Sequence, residues 1–232
     1  FTGGQSLYEA KKYAHHNIYP FPSSIDKSHF GKARTYKKSP KDQREIINPR
    51  IGFFGVIDER FDIELIRTMA EARPEWQFVL IGPVVKIDPA TLPIRDNIHY
   101  MGSKAYLELP EYLSGWDIAL IPFLLNESTQ FISPTKTPEY LSAGIPVIST
   151  PIKDVVRPYG DLKLVHIASS AEEFIAAIEL ELDSPKETWL TKVDEHLREN
   201  SWDITCSKML QQIKLSLDKN KQKNKITIST IS

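Results

Sequence analysis

The residues best suited to chemistry lie in a segment that begins at Ser133. Ser133 is a favoured helix N-cap and Pro134 a favoured first helical residue, so we expect free backbone N–H groups and a positive dipole end there. Such a helix start binds phosphate. Lys136 adds a cation, and Glu139, one turn further on, can accept hydrogen bonds from hydroxyl groups. The pattern predicts a site for a nucleotide-sugar, whereas a capped surface helix with solvated Lys136 and Glu139 fits the same spacing.

Short apolar runs alternate with amphipathic segments around this site, which is typical of βα units around a parallel sheet. We therefore predict an α/β fold, a Rossmann-like doubly wound parallel sheet followed by C-terminal helices. The carboxyl ends of parallel strands meet at one edge, so the segment Gly55 to Arg60, Gly102 and the loop over residues 123–136 should face one ligand. The predicted strands span residues 51–56, 78–82, 98–101, 117–122, 146–149 and 164–167.

The C-terminal part is predicted to be helical. Ser170 with Glu173, and Ser184 with Glu187, have the spacing of capping boxes, and a third amphipathic segment follows Trp202. We place the sheet domain at residues 51–218 and predict a disordered basic tail over residues 219–232.

Residues 1–50 do not follow the βα pattern. They are predicted to be the end of a preceding N-terminal domain plus a linker. The linker carries a basic stretch, which fits a solvated segment or contact with anionic lipid headgroups, and its cations are Lys32, Arg34, Lys37, Lys38 and Lys41.

The composition limits the class of protein. With 41% hydrophobic and 25% charged residues the chain of 232 residues is globular, and its net charge of −1 provides no global attraction to nucleic acid. Cys206 is the only cysteine, so no internal disulfide forms, which suits a reducing compartment. Because no long apolar run or secretory signal is present, we expect a cytoplasmic protein, in contact at most with the inner face of the membrane.

Three segments together resemble the C-terminal, donor-binding half of a family 4-type glycosyltransferase of the GT-B fold. The resemblance covers roughly Ile51 to Leu217, and residues 1–30 resemble the closing segment of the family's N-terminal domain. The segments that carry it are SPTKTPEYLSAGIPV from Ser133, GFFGVIDER from Gly52 and NIHYMG from Asn97.

The resemblance implies a site and a missing partner domain. Glu139 would bind the ribose hydroxyls, whereas Arg60 and Lys136 would neutralise the diphosphate as the catalytic residues. The remaining donor-binding residues would be Gly55, Asp58, Gly102, Ser133, Pro134 and Thr135. Many members carry an earlier glutamate near the sugar where this chain has Phe131, so Thr129, Ser133 or backbone amides would replace its contacts. The acceptor would bind a preceding N-terminal domain.

The expected reaction is transfer of a hexose to a glycan or lipid-linked acceptor. The sequence has no Asp-x-Asp pair, so we expect the helix start, Lys136 and Arg60 to stabilise the leaving diphosphate without a metal. The resemblance further implies retention of anomeric configuration. UDP-hexose is the expected donor, followed by GDP-mannose, and no other cofactor is expected.

Two other functions fit the same fold. The sugar site could have decayed into a non-catalytic nucleotide-binding or interaction module, as Phe131 suggests, or the chain could be a nucleotide-sugar epimerase. The motifs of other enzyme classes are absent: the sequence has no Walker loop, no Gly-x-Gly-x-x-Gly fingerprint and no Gly-x-Ser-x-Gly elbow. The histidines have no metal-ligand spacing.

Overall fold

The computed structural model describes residues 1–229, and for residues 220 and 222–229 it describes the backbone alone. Within this range a parallel sheet of six strands has the order β3-β2-β1-β4-β5-β6. The strands are β1 (Arg50–Phe54), β2 (Gln77–Ile81), β3 (Ile98–Tyr100), β4 (Ile118–Ile121), β5 (Val147–Ser149) and β6 (His166–Ile167). All six predicted strands are present, and the predicted fold class is confirmed.

Helices cover the sheet and extend beyond it. They are α1 (Gln5–Lys11), α2 (Lys27–Phe30), α3 (Ile63–Ala72), α4 (Leu109–Leu113), α5 (Lys136–Ser142), α6 (Lys153–Val155), α7 (Ala171–Asp183), α8 (Glu187–His196) and α9 (Trp202–Ser229). Every residue of β1 and β4 is buried, as expected of central strands covered on both faces.

The strand order creates a crevice. From β1 the chain winds outward through β2 and β3, and from β4 it winds the other way through β5 and β6. The direction reverses between β1 and β4, and the space outside their carboxyl ends is where doubly wound folds bind ligands. The loops that follow β1 and β4 are therefore the ones that can form a site.

Residues 1–50 pack against the sheet domain. Ile25 and Phe30 are buried in the same apolar core as the strands, and Phe30 stacks on Phe54 at the end of β1. Within the predicted basic stretch, Lys37 and Lys38 are exposed. Arg34 instead donates a 2.8 Å hydrogen bond to the carbonyl of Ser142 and forms an ion pair with Asp194, so it joins the end of α5 to α8.

Two predictions about the C-terminal part need correction. Ser170 is the N-cap of α7 and accepts a hydrogen bond from Glu173 N, but α8 begins at Glu187 without a side-chain cap. The Ser184 hydroxyl donates instead to the carbonyl of Leu180 at 2.6 Å, because the last carbonyls of α7 lack helical partners.

The predicted disorder over residues 219–232 is wrong for residues 219–229, which continue α9. This segment contains neither glycine nor proline to end a helix. Residues 230–232 lie outside the described residues.

Candidate functional site

The loops after β1 and β4 are joined by backbone hydrogen bonds. Leu124 N donates to the carbonyl of Arg60 and Asp62 N to that of Pro122, both at 2.8 Å. The loop after β1 is also tied to β2, because Gly55 N donates to the carbonyl of Ile81 at 2.8 Å. The segment from Gly55 to Arg60 is therefore fixed beside the segment that leads into α5.

Two glycines at the ends of β1 and β2 allow close contacts, one with the Lys136 side chain and one between the two glycine backbones. Gly55 has φ +145°, and a Cβ there would lie 2.3 Å from Cε of Lys136. Gly82 has φ +142°, and a Cβ on Gly82 would lie only 1.8 Å from the carbonyl oxygen of Gly55. Only glycine tolerates these positions, and as a result the Lys136 side chain passes directly over the end of β1.

The helix that was predicted to start at Ser133 starts later. Thr135 is the N-cap of α5, its side chain makes no capping hydrogen bond, and Lys136 is the first helical residue. Ser133 precedes the cap, and its Cβ lies 2.9 Å from the position that a Cβ on Gly4 would occupy. The amide-rich turn is nevertheless present: among the described residues, the N–H groups of Ser133, Thr135 and Lys136 meet no hydrogen-bond acceptor.

Lys136 and Glu139 lie together without pairing. Neither side chain makes a hydrogen bond or ion pair with the residues described, and Glu139 Oε2 is fully covered. Burial lowers the pKa of Lys136, Glu139 opposes that shift, and Arg60 adds to it. Burial raises the pKa of Glu139 to about 7, although Lys136 acts in the opposite direction. Charged groups this poorly solvated carry a free-energy cost that a ligand of complementary charge would relieve.

Arg60 is held in place by Asp58. Asp58 is only 2% exposed, and its carboxylate accepts hydrogen bonds from the backbone N–H, Nε and Nη2 of Arg60, the shortest at 2.6 Å. Burial would raise the pKa of Asp58, but the Arg60 hydrogen bonds outweigh it and the pKa lies below its usual value. Asp58 therefore orients Arg60, whose side chain is 37% exposed and keeps Nη1 free of partners among the described residues.

Tyr140 fixes α5 to the end of β1. The ring is completely buried, and its hydroxyl accepts a 2.9 Å hydrogen bond from Phe54 N. Lys136 Nζ lies 5.7 Å from the centre of the Phe54 ring, within the range of a cation–π contact. The strand end, the helix and the lysine thus form one rigid unit.

An aromatic residue that the sequence analysis did not single out lies near Glu139. Tyr106 follows the exposed Gly102 and stacks on His29 with a centroid distance of 4.2 Å, while half of its surface stays exposed. Its pKa is raised by burial and further by the charges of Asp26 and Glu139. Little in the sequence indicated that Tyr106 lies near the site, because it belongs to a short segment between β3 and α4.

Two cavities share Gln5, Asp154 and Arg157 in their linings. One, of about 390 Å³, is lined by Ser133 and Pro134, but Lys136 and Glu139 are not among its lining residues. The other, of about 610 Å³, is lined by Phe131 and Asp154. Of the predicted site residues, Gly55 contacts Lys136, and Arg60 and Glu139 lie close enough to Lys136 for their charges to act on it, whereas Ser133 and Pro134 line the smaller cavity.

The family of the chain follows from comparison with known proteins. Residues 48–183 match the family model described as Glycosyl transferases group 1. The chain belongs to this family. Over 103 residues it is 30% identical to TuaH of Bacillus subtilis strain 168, a glycosyltransferase assigned provisionally to teichuronic acid biosynthesis. That match covers 43% of this chain and 26% of TuaH. The predicted resemblance is confirmed at the level of the family.

Solved structures show the same fold at low identity. Sucrose-phosphate synthase from Thermosynechococcus elongatus superposes with a TM-score of 0.72 at 17% identity, covering 94% of this chain and 58% of that protein. Anabaena HepE, solved with UDP and glucose, has a TM-score of 0.65 at 14% identity, with coverages of 94% and 62%. The chain thus spans about three fifths of these structures and a quarter of TuaH.

The part of the chain that the structure describes contains neither a membrane-spanning helix nor a clustered metal site. None of the helices of residues 1–229 has the length and apolarity that crossing a membrane requires. In the same range no group of three or more His, Cys, Asp or Glu side chains is arranged as a metal site.

Proposed function

We propose that this chain is the donor-binding part of a glycosyltransferase and binds the nucleoside diphosphate of an activated hexose. The observation that carries the proposal is the pair Lys136 and Glu139. They are opposite charges, largely buried, that meet no protein partner among the described residues beside unpaired backbone N–H groups. A diphosphate next to ribose hydroxyls supplies both missing partners.

The diphosphate binds the turn, Lys136 and Arg60. The N–H groups of Ser133, Thr135 and Lys136 are available for its oxygens, and the two cations offset its charge. When the bond between the anomeric carbon and the diphosphate breaks, negative charge grows on the leaving phosphate. Because Asp58 and Gly55 preorganise Arg60 and Lys136, these cations stabilise that charge without a metal.

The ribose binds Glu139 and the base extends toward Tyr106. A carboxylate can accept one hydrogen bond from each of two vicinal hydroxyls, and Oε2 of Glu139 has a lone pair to fill. The half-exposed ring of Tyr106 offers a face on which a base can stack. UDP is the proposed nucleotide because HepE, a structure with the same fold, was solved with UDP and glucose. GDP is the second candidate.

The acceptor side is proposed to come from a preceding domain. This chain spans 58% of the sucrose-phosphate synthase structure and 62% of HepE, so these structures contain a large further part. We propose transfer with retention of anomeric configuration to a glycan or lipid-linked acceptor, without a covalent enzyme intermediate. The donor half alone should bind nucleotide-sugar and transfer none.

A place at the inner face of the membrane, on the cytoplasmic side, is proposed from one basic patch. Lys37, Lys38 and Arg44 surround a cavity of about 420 Å³, where headgroup phosphates could bind. Sedimentation with anionic and with neutral vesicles tests this proposal. Binding only to anionic vesicles, lost in the Lys37→Gln, Lys38→Gln double variant, supports it; no difference between the vesicles contradicts it.

Calorimetric titration tests the donor site. We expect micromolar Kd values for UDP or a UDP-hexose, unchanged by EDTA, and roughly tenfold weaker binding in Glu139→Gln and in Lys136→Met. Glu64→Gln and Lys192→Met, which alter exposed residues away from the site, serve as controls.

The competing function is a non-catalytic module, which Phe131 favours because it stands where many family members carry a glutamate. If none of UDP, GDP, UDP-hexoses and GDP-mannose binds, the donor site is wrong and the interaction module is the better description.

A further inference from the structure

We propose that His29 is a positioning residue for the nucleotide and acts through Tyr106, whose ring it holds in place for the base. The identity of the ligand rests on the proposed function, whereas the contacts between the two residues do not. His29 belongs to α2, in the part of the chain that was predicted to be the end of a preceding domain plus a linker. The donor site is then completed by a residue from outside the predicted sheet domain.

Tyr106 lies in a segment whose own contacts do not hold its ring. Every residue from Ala105 to Glu108 is exposed, and the segment lies between β3 and α4. Within it, Glu108 Oε2 accepts a 2.8 Å hydrogen bond from Ala105 N, which ties the backbone of the turn. Half of the surface of Tyr106 is exposed, so a single ring orientation requires a contact from elsewhere in the fold.

His29 supplies this contact in two ways. Its ring lies nearly parallel to that of Tyr106, with 13° between the planes and 4.2 Å between the centroids. Its Nε2 lies 2.9 Å from the carbonyl oxygen of Tyr106, and because a carbonyl can only accept, Nε2 carries the proton and donates it. The stack orients the tyrosine side chain, and the hydrogen bond holds the backbone from which that side chain projects.

The position of His29 is itself fixed by α2. The residue is 4% exposed, and its backbone N–H donates a 2.9 Å hydrogen bond to Oδ1 of Asp26, the N-cap of the helix. The hydroxyl of Ser142, the last residue of α5, donates to the carbonyl of Lys27 at 3.4 Å, so α2 is bound to the helix that carries Lys136. His29 therefore provides a rigid support for the Tyr106 ring.

Phe30, the neighbour of His29, connects Tyr106 to the proposed diphosphate site. Its ring is completely buried and meets the Tyr106 ring edge-on, with 5.6 Å between the centroids. The same ring stacks on Phe54 at 6.1 Å, and Lys136 Nζ lies 5.7 Å from the centre of Phe54. Aromatic contacts thus continue from Tyr106 to the lysine that is proposed to bind the diphosphate.

Packing of the core alone does not account for this arrangement. A histidine that served only to fill the core would have a buried ring as its partner, but Tyr106 remains half exposed. With His29 on one face of the ring, the exposed part of Tyr106 offers a surface on which a planar base can stack. The pair resembles a platform that is supported from below and open to solvent above.

Calorimetry with UDP and with ribose 5-diphosphate, which has the ribose and the diphosphate but no base, isolates the contribution of the base. We expect the wild type to bind UDP about tenfold tighter than ribose 5-diphosphate. His29→Ala should weaken UDP binding about fivefold and leave the affinity for ribose 5-diphosphate unchanged. His166→Ala is the matched control, because His166 also forms a hydrogen bond through Nε2 but lies in β6 at the edge of the sheet, and it should change neither affinity.

A double variant tests whether His29 acts through Tyr106. In a Tyr106→Ala background, His29→Ala should have no further effect on UDP affinity, because the ring that it positions is already absent. His29→Phe retains a ring and should keep most of the preference for UDP. His29→Gln retains a hydrogen-bond donor without a ring and should lose that preference, so it decides the matter if His29→Ala fails to fold.

The outcomes separate this inference from the proposed function. It is overturned if His29→Ala weakens both ligands equally or neither of them, or if the effect on UDP is the same in the Tyr106→Ala background as in the wild type. Equal affinity of the wild type for UDP and ribose 5-diphosphate also overturns it but leaves the donor site in place. Absence of binding of either ligand to the wild type overturns both.

Discussion

The protonation state of Glu139 should control donor binding, because only the carboxylate accepts hydrogen bonds from both ribose hydroxyls. Its pKa is raised to about 7 by burial, so the affinity for a UDP-hexose should increase as pH rises from about 6 to about 8. The lowered pKa of Lys136 should weaken binding again at higher pH. Calorimetry with a nucleotide-sugar avoids the terminal phosphate of free UDP, whose pKa is near 6. In Glu139→Gln the rise should be absent; a rise of equal size there would contradict this role.

The same residue should affect stability with a definite sign. A group whose pKa is raised by folding stabilises the protein below its unfolded value, 4.5 for Glu139, and this contribution is lost as pH rises through about 7. The free energy of unfolding of Glu139→Gln relative to wild type should therefore be more favourable at pH 8 than at pH 5. Urea denaturation at both pH values measures this. A relative stability independent of pH would show that Glu139 is not buried as described.

Gly55→Ala should displace Lys136. The added methyl group would lie 2.3 Å from Cε of Lys136, and φ +145° is strained for alanine, so both donor affinity and stability should decrease. Gly144→Ala is the matched control, since it also has a positive φ, +79°, but lies at the other end of α5. We expect both variants to lose about 1–2 kcal/mol of stability and only Gly55→Ala to lose UDP affinity in calorimetry. Equal affinity in the two variants would contradict the placement of Lys136.

For individual residues, the sequence could predict contacts between near neighbours along the chain, but not contacts between residues far apart in sequence. Lys136 and Glu139 were recognisable because their spacing of three residues places them on one helix face. Asp58 and Arg60 are also near neighbours along the chain, but the burial of Asp58 depends on tertiary packing and could not be predicted. Asp154 approaches Ser6 only because tertiary packing brings α1 against α6, so it could not be found from the sequence.

At the scale of elements, Tyr140 should fix α5 in place. Its hydroxyl accepts the hydrogen bond of Phe54 N in a fully buried environment, so Tyr140→Phe leaves this donor unsatisfied. We expect a loss of about 1–3 kcal/mol in the free energy of unfolding, measured by urea denaturation, with the fold retained. Tyr36→Phe, at an exposed position, should change stability little. A stability of Tyr140→Phe equal to wild type would show that the contact does not anchor the helix.

Element positions were predictable from the sequence, but some element ends were not. Apolar runs located all six strands, most clearly β1, β4 and β5, because strands buried on both faces read as continuous apolar segments. The start of α5 was misplaced because N-cap preference favours Ser133, whereas the helix is capped at Thr135 and Ser133 lies beside Gly4, more than a hundred residues earlier in the chain. Ser184 had the sequence of a capping box, yet its hydroxyl closes α7.

For the whole molecule, the strand order brings together the loops that form the proposed donor site. Periodicity indicated parallel βα units, but the pairing of β1 with β4 depends on contacts far apart in sequence and could not be derived from it. This pairing joins the loop of Arg60 to the loop that leads into Lys136. Residues 1–50 were predicted to contain a linker, and their packing in the common core brings Gly4 to the Ser133 turn.

A titration of the isotope-labelled chain with UDP, followed by amide NMR, tests whether the turn before α5 binds the diphosphate. We expect the largest shifts at the N–H groups of Ser133, Thr135 and Lys136, because they donate to the diphosphate. These shifts should decrease at equal UDP concentration in Lys136→Met. Largest shifts in the basic segment over residues 37–44, with those three amides unchanged, would contradict diphosphate binding at the turn before α5.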